Sequence, residues 1–231
     1  MSFIVKNTTF PNPLDLLAPH SCRGCGLIGK PICDRCKKYI MLEHQNFCPN
    51  CKTLNPTGNC QKCTSLPSTF VIADRSTIIG NLIHDFKYSS ISALAQPIAE
   101  LTDYILPEIP GKVSIVPLPT ISRHIRERGF DHTYKIAKNL LTLRTNWKIE
   151  PILLRVKNTV QVGATETERK SQVKKAYTVN PKTKIDKSTT YILLDDVWTT
   201  GASMKAALKK ISSAGAEKII LVVLAVSQMR N

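Results

Sequence analysis

Beyond residue 68 the apolar positions alternate between short continuous runs and helical spacing. Val113–Leu118 is a buried-type run ending in Pro-Leu-Pro, and Ile152–Leu154 is a shorter one. Tyr191–Leu194 runs straight into Asp195-Asp196, and Ile219–Val226 is an eight-residue apolar stretch suited to a central strand. Between them, Thr133–Leu143 repeats apolar residues at Ile136, Leu140 and Leu143, which predicts an amphipathic helix facing a sheet. Ser203–Ser213 predicts a second helix, with Gly215 as its stop signal. Strands alternating with helices predict an α/β domain with a parallel sheet flanked by helices.

The first 68 residues read differently. Residues 1–19 are irregular, with Pro11, Pro13 and Pro19 around Leu14, Leu16 and Leu17. All eight cysteines follow, in four C-x-x-C pairs: Cys22/Cys25, Cys33/Cys36, Cys48/Cys51 and Cys60/Cys63. A two-residue spacer lets both thiolates reach one ion, and two such knuckles supply the four tetrahedral ligands of Zn²⁺. Two structural zincs are therefore expected; thiolates also suit iron–sulfur clusters. Each half reads knuckle, short loop, knuckle, so two consecutive ribbons are expected. A cross-braced pairing of the first knuckle with the third is the open alternative. Lys37–Gln45 links the halves as a short helix, and Thr64–Ser68 marks the boundary. The expected organisation is 1–19 irregular, 20–66 double zinc ribbon and 67–231 α/β domain.

Composition adds a charge. The net charge is +15, with an excess of five over residues 20–65 and ten over 66–231. A basic excess in both parts favours polyanionic partners: nucleic acid, phosphates or an anionic membrane face. The alternative is a basic, solvated surface. No apolar run nears the roughly 20 residues that span a bilayer, so an integral membrane protein is not expected. With no secretion-type N-terminus, a cytoplasmic location is expected.

The densest chemistry lies at Asp195–Ser203. A strand delivers two acids at its carboxyl end, where open α/β sheets bind ligands. Thr199, Thr200, Gly201, Ala202 and Ser203 then open a helix, whose free N–H groups and dipole suit a phosphate. The acids suit sugar hydroxyls or Mg²⁺, which takes oxygen ligands. Arg123, Arg126 and Arg128 follow a strand end, and arginine forks match phosphate oxygens. Lys87 is a second source of the same charge, and Arg155 and Lys157 are weaker ones.

Tyr191–Ser203 resembles the ribose-5-phosphate loop of type I phosphoribosyltransferases. The resemblance implies that Asp195 and Asp196 hold the ribose 2′- and 3′-hydroxyls. It also implies that Val197, Thr199, Thr200, Gly201, Ala202 and Ser203 form the binding loop for phosphoribosyl pyrophosphate, with Mg²⁺. Trp198 stands where that family carries an aliphatic residue; packing and a stacking face are both open to it. The Thr-Thr-Gly form lacks the loop acid of purine-specific relatives and resembles orotate transferases and amidotransferases.

The wider set is Phe86-Lys87-Tyr88, Val116-Pro117-Leu118-Pro119, Arg123, Arg128-Gly129-Phe130, Gln161 and Arg169. Together with the four knuckles and the loop, it resembles the ComF family of competence proteins from Cys22 onward. That resemblance implies a double zinc ribbon before a type I phosphoribosyltransferase-like domain. Lys87, Arg123 and Arg128 join the phosphoribosyl pyrophosphate site. The implied role is uptake or handling of single-stranded DNA in natural transformation, peripheral to the inner membrane and beside a helicase or membrane channel. The alternative is an active phosphoribosyltransferase with an unknown acceptor. Two departures bear on the anion site: Asp131-His132 replaces the usual Asn-Gln, and Gln172-Val173 replaces Asn-Val. Tyr39, Phe47 and Tyr88 could stack on a single strand or pack in small cores.

Overall fold

The computed structural model describes residues 20–75, 77–89, 91–156 and 176–227. The expected calls at Leu14–Leu17, Lys157, Gln161, Arg169 and Gln172-Val173 lie outside them, as does the side chain of Arg128.

Five parallel strands form the main sheet: β3 (Thr69–Asp74), β4 (Val113–Pro117), β5 (Lys148–Ile149), β8 (Thr190–Trp198) and β9 (Lys218–Val226). Their spatial order is β3-β9-β8-β4-β5. Strand β9 is paired on both edges and buried on both faces, Val222 and Leu224 on one and Leu221 and Val223 on the other, which is why its run is continuous rather than alternating. Helices α2 (Ile78–Tyr88), α3 (Ala95–Ile105) and α5 (His132–Leu143) belong to one face, packed on Ile115, Ile192, Leu194 and Val222. Helix α6 (Ala202–Ser213) takes the other, on Leu193, Leu221 and Val223. The alternation along each strand assigns odd and even residues to opposite faces. The expected α/β class, with helices on a parallel sheet and a cysteine-rich module before it, is the one found.

Two elements differ from expectation. Strand β8 continues past Leu194 through both acids to Trp198, because Asp195 and Val197 keep their register with Val223 and Ala225 of β9. The arginine segment forms a short helix, α4 (Ser122–Arg128), closed by Gly129 at φ +82°. Phe130 behind it packs on Phe86 at 5.2 Å between ring centres. A separate antiparallel pair, β6 (Leu153–Arg155) and β7 (Tyr177–Val179), stands beside the main sheet.

The cysteine module is docked on this sheet. Hairpin β1 (His20–Ser21) and β2 (Ile28–Gly29) precedes α1 (Asp34–Leu42), which begins at the second knuckle. Cys22, Ile32 and Cys36 are buried in the same apolar cluster as α2 and α3. Between the two cysteine halves, the chain runs along edge strand β3. Asn46 donates to the Thr69 carbonyl at 3.1 Å and accepts from the Val71 N–H at 2.8 Å. His44 Nε2 donates to the Val71 carbonyl at 2.9 Å, and the Thr69 N–H donates to Gly58 at 2.8 Å. Four backbone groups on the open side of β3 are thereby satisfied, covering an edge that would otherwise pair with another chain.

Candidate functional site

The chain leaves β4 toward β5 on one side and leaves β8 toward β9 on the other, although β4 and β8 are neighbours. Such a reversal opens a crevice at the carboxyl ends of the two strands, where open α/β sheets bind ligands. A cavity of about 320 Å³ lies there, lined by Leu118 and Pro119 after β4, Asp195 and Asp196 on β8, and Lys87 on α2. A smaller cavity of about 140 Å³ continues from it between Asp195 and the loop Thr199–Ser203.

The loop is fixed from beneath. Trp198 is buried, and a Cβ on Gly201 would come within 2.1 Å of its ring. Gly201 also has φ +71°, so both the conformation and the close approach call for glycine. Trp198 packs under the loop; its ring is not a stacking face. Thr199 and Thr200 remain exposed, at the head of α6 where backbone N–H groups lack helical partners.

Asp196 is buried, and its Oδ2 is met by both Lys87 Nζ and His132 Nε2. Burial pushes its carboxyl up, but the hydrogen bonds and charges of His132 and Lys87 outweigh that and hold it below the ordinary range. Asp195 behaves oppositely. Burial first, and then the charge of Asp196, push it up to about 8, against the bond it accepts from the Asp196 N–H at 2.9 Å. Tyr177 is raised as well, by burial and by Asp195.

His132 reaches Asp196 because of how α5 begins. Asp131 is its N-cap, accepting from the Tyr134 N–H at 3.2 Å and the Thr133 hydroxyl at 2.9 Å. The same Thr133 hydroxyl lies 2.9 Å from the Leu118 carbonyl, so its one proton is shared between the cap and the end of β4. The Asp131-His132 pair thus acts as a cap and a carboxylate partner. An acid before a helical run was the signal available in the sequence for the cap; nothing local marked His132 as a neighbour of β8.

Of the residues singled out from sequence, Lys87, Asp195, Asp196, Val197, Thr199 and Ser203 converge on the larger cavity. Thr200, Gly201 and Ala202 line the smaller one. Arg123 does not join them. It is exposed on α4, pairs with Glu127 at 3.0 Å and is absent from the cavity lining. Arg126 is also exposed. Arg155 lines the cavity instead, held by the Pro119 carbonyl and the Tyr177 hydroxyl, each at 3.3 Å. Arg75, His84 and His124 line the same cavity and gave no sequence signal.

The cysteines sort into two groups, Cys22/Cys25/Cys33/Cys36 and Cys48/Cys51/Cys60/Cys63, each with sulfurs within 4.8 Å of one another. The halves are consecutive, not cross-braced. Cys25–Cys33 and Cys51–Cys60 sulfur separations are 3.7 and 3.5 Å, close to the roughly 3.8 Å edge of a tetrahedron with Zn–S bonds of about 2.3 Å. The Gly24 and Cys33 N–H groups donate to Cys22 Sγ at 3.4 and 3.3 Å, which favours a thiolate. Each group could hold one zinc ion, and four protein ligands would leave no open position on it.

No protein-family model matches the chain, and no curated protein matches it. Among solved structures, similarity extends to a hypoxanthine phosphoribosyl transferase of Trypanosoma cruzi. That match has 15% identity over 65% of this chain and 75% of that chain, at a TM-score of 0.35. An overlap that loose carries no argument about this site. No helix among the described residues is long and apolar enough to cross a membrane.

Proposed function

We propose that the crevice between β4 and β8 binds a 5-phosphoribosyl group, with phosphoribosyl pyrophosphate as the ligand. The observation that carries this is the junction of the two cavities. A phosphate cradle at the head of α6 opens directly onto a carboxylate, Asp195, at the strand reversal. The 5-phosphate would take the N–H groups and hydroxyls of Thr199–Ser203. Arg155 and Lys87 supply positive charge across the larger cavity for a pyrophosphate. Mg²⁺ would arrive with the pyrophosphate and keep several waters; Asp195 would face it, giving up its proton to the ion's charge, because Asp196 Oδ2 already meets Lys87 and His132. The ion would neutralise phosphate charge.

The role that best fits this site with the basic surface and the zinc module is handling of single-stranded DNA, as in ComF-type competence proteins. Exposed Tyr39 and Tyr88 support it, Tyr88 at the cavity itself, because a solvent-facing aromatic can stack on a base. The second reading, a transferase with an unknown acceptor, is favoured by space beyond the sugar position lined by His84 and His124.

Calorimetric titration of Mg²⁺–phosphoribosyl pyrophosphate into the zinc-loaded chain tests the site. Saturable binding is expected, weakened at least about tenfold by Thr199→Val with Ser203→Ala. No binding to the unaltered chain overturns the reading. Release of pyrophosphate in the presence of candidate acceptors would select the transferase. Salt-sensitive binding of a short single strand without turnover would select DNA handling.

A further inference from the structure

Arg75, Lys87 and Arg155 all line the larger cavity, and two of the three are engaged within the protein. Lys87 meets Asp196, and Arg155 is held by the Pro119 carbonyl and the Tyr177 hydroxyl. The exposed side chain of Arg75 has no ion-pair or hydrogen-bond partner among the described residues. Its backbone is nonetheless fixed. The Arg75 N–H donates to the Val226 carbonyl at 2.9 Å, and a Cβ on Gly80 would come within 1.7 Å of the Arg75 carbonyl oxygen. The first turn of α2 therefore closes on Arg75 only because residue 80 is glycine. The sheet sets where this arginine stands. Asp74 of β3 and Trp198 of β8 lie opposite the same residue of β9, Val226. Arg75 and Thr199 thus leave the sheet two strand spacings apart, about 10 Å. Arg155 lies on the other side of β8, beyond the end of β4. In the order of the strands, the cradle Thr199–Ser203 has a guanidinium on each side, one engaged and one open.

With a 5-phosphate in the cradle, a pyrophosphate on the sugar C1 lies on the side of Arg155 and Lys87. A phosphate on the opposite side, at Arg75, is joined through the 5-phosphate and away from the sugar. We propose that Arg75 forms a second phosphate subsite, and that the crevice takes two successive phosphates of a nucleic-acid strand. A phosphodiester occupies the cradle, and the phosphate before it in the strand meets Arg75. A guanidinium fork matches phosphate oxygens, and one with no carboxylate against it is open to the ligand. Phosphoribosyl pyrophosphate, whose phosphates stand at C5 and C1, does not reach this subsite. The inference rests on the sugar-phosphate reading above, and its failure is separable from the failure of that reading.

The test titrates a thymidine dinucleotide, with and without a 5′-phosphate, and Mg²⁺–phosphoribosyl pyrophosphate into the zinc-loaded full chain and its Arg75→Gln variant. In the unaltered chain the 5′-phosphate is expected to tighten dinucleotide binding about tenfold, and Arg75→Gln to remove that gain. The variant should also make the log–log salt dependence of the phosphorylated dinucleotide shallower by about 0.7. Its affinity for phosphoribosyl pyrophosphate should be unchanged. Arg75→Lys, which keeps the charge without the fork, should keep the salt dependence and lose part of the gain. No gain from the 5′-phosphate, or a gain that survives Arg75→Gln, overturns the inference and leaves the sugar-phosphate reading standing. An equal loss of phosphoribosyl pyrophosphate binding in Arg75→Gln would place Arg75 on the pyrophosphate and overturn it too. Binding of neither ligand by the unaltered chain overturns both. Thymidine 5′-diphosphate, compared with the monophosphate, separates the sources of the second phosphate. An Arg75-dependent gain as large as the dinucleotide's would assign the subsite to a nucleoside diphosphate and overturn the assignment to a strand.

Discussion

In the first cysteine half the Gly26 N–H bonds back to the Cys22 carbonyl at 2.8 Å, and Cys22 N–H bonds to Leu27 at 2.8 Å. In the second, Lys52 bonds to Cys48 and Cys48 to Thr53, both at 2.9 Å. The residue after the second cysteine is left-handed in both, Gly26 at φ +76° and Lys52 at φ +61°. From that shared start the halves part. The first continues into α1 and docks on the α2/α3 face through the Arg23–Asp85 and Lys37–Glu100 ion pairs. The second has no such helix; Phe47 and Leu66 pack on the opposite cluster, and Lys205 of α6 reaches Asn50 at 3.2 Å. Cysteine spacing sets the knuckle, while the surrounding side chains decide which face of the sheet it meets. The module therefore works as a clasp that grips both faces around edge strand β3.

Breaking one half at a time tests the clasp most strongly. Cys36→Ser and Cys60→Ser should each lower the zinc content from two ions to one, read by elemental analysis. The first should cost more, on the order of 4 kcal/mol, because Cys36 is buried within the main core. Loss of both zincs from either change would show that the halves fold as one unit.

Cutting the strap between the halves comes next. Asn46→Ala orphans the Val71 N–H and the Thr69 carbonyl, at about 2–3 kcal/mol in chemical denaturation. It also bares part of the β3 edge, so concentration-dependent association should accompany the loss of stability.

A third test contrasts the clasp with the crevice through pH. Asp195 is raised from the ordinary 3.8 to about 8, so the folded chain holds its proton more tightly than the unfolded chain. Its contribution to stability is fully present below pH 3.8 and is lost as pH rises toward 8. Asp195→Asn should therefore gain thermal stability relative to the unaltered chain as pH rises from 5 to 9. A difference in Tm that does not change over that range would refute the raised carboxyl. The smallest effect is expected at Lys52→Gly. Gly26 shows what the equivalent position prefers, and relief of the left-handed lysine should stabilise by about 0.5–1 kcal/mol.

The strand before Asp195, the helix after Gly201 and the four knuckles were legible because each is local. Periodicity, a glycine at a forced turn and a two-residue spacer all act within a few residues. The arginines show the limit. Arg123 lay close in sequence to a strand end and was the natural anion ligand, yet α4 turns it outward to Glu127. Arg155 reaches the cavity instead because the β6–β7 pair stands over the crevice beside Tyr177. Trp198 was open between packing and stacking until the loop was seen folded across its ring.

The sequence by itself determined the α/β class, the four two-cysteine knuckles and a strand that runs through two acids into a glycine-turned helix start, since each follows from residues adjacent in the chain. Only the tertiary structure decided the rest. The pairing of consecutive knuckles, the covering of β3 by Asn46 and His44, and the different fates of Asp195 and Asp196 depend on residues far apart in the chain. Two neighbouring carboxyl groups share one sequence context, but successive strand residues face opposite sides of the sheet. Asp196 is held down by His132 and Lys87, whereas burial and then the charge of Asp196 hold Asp195 up.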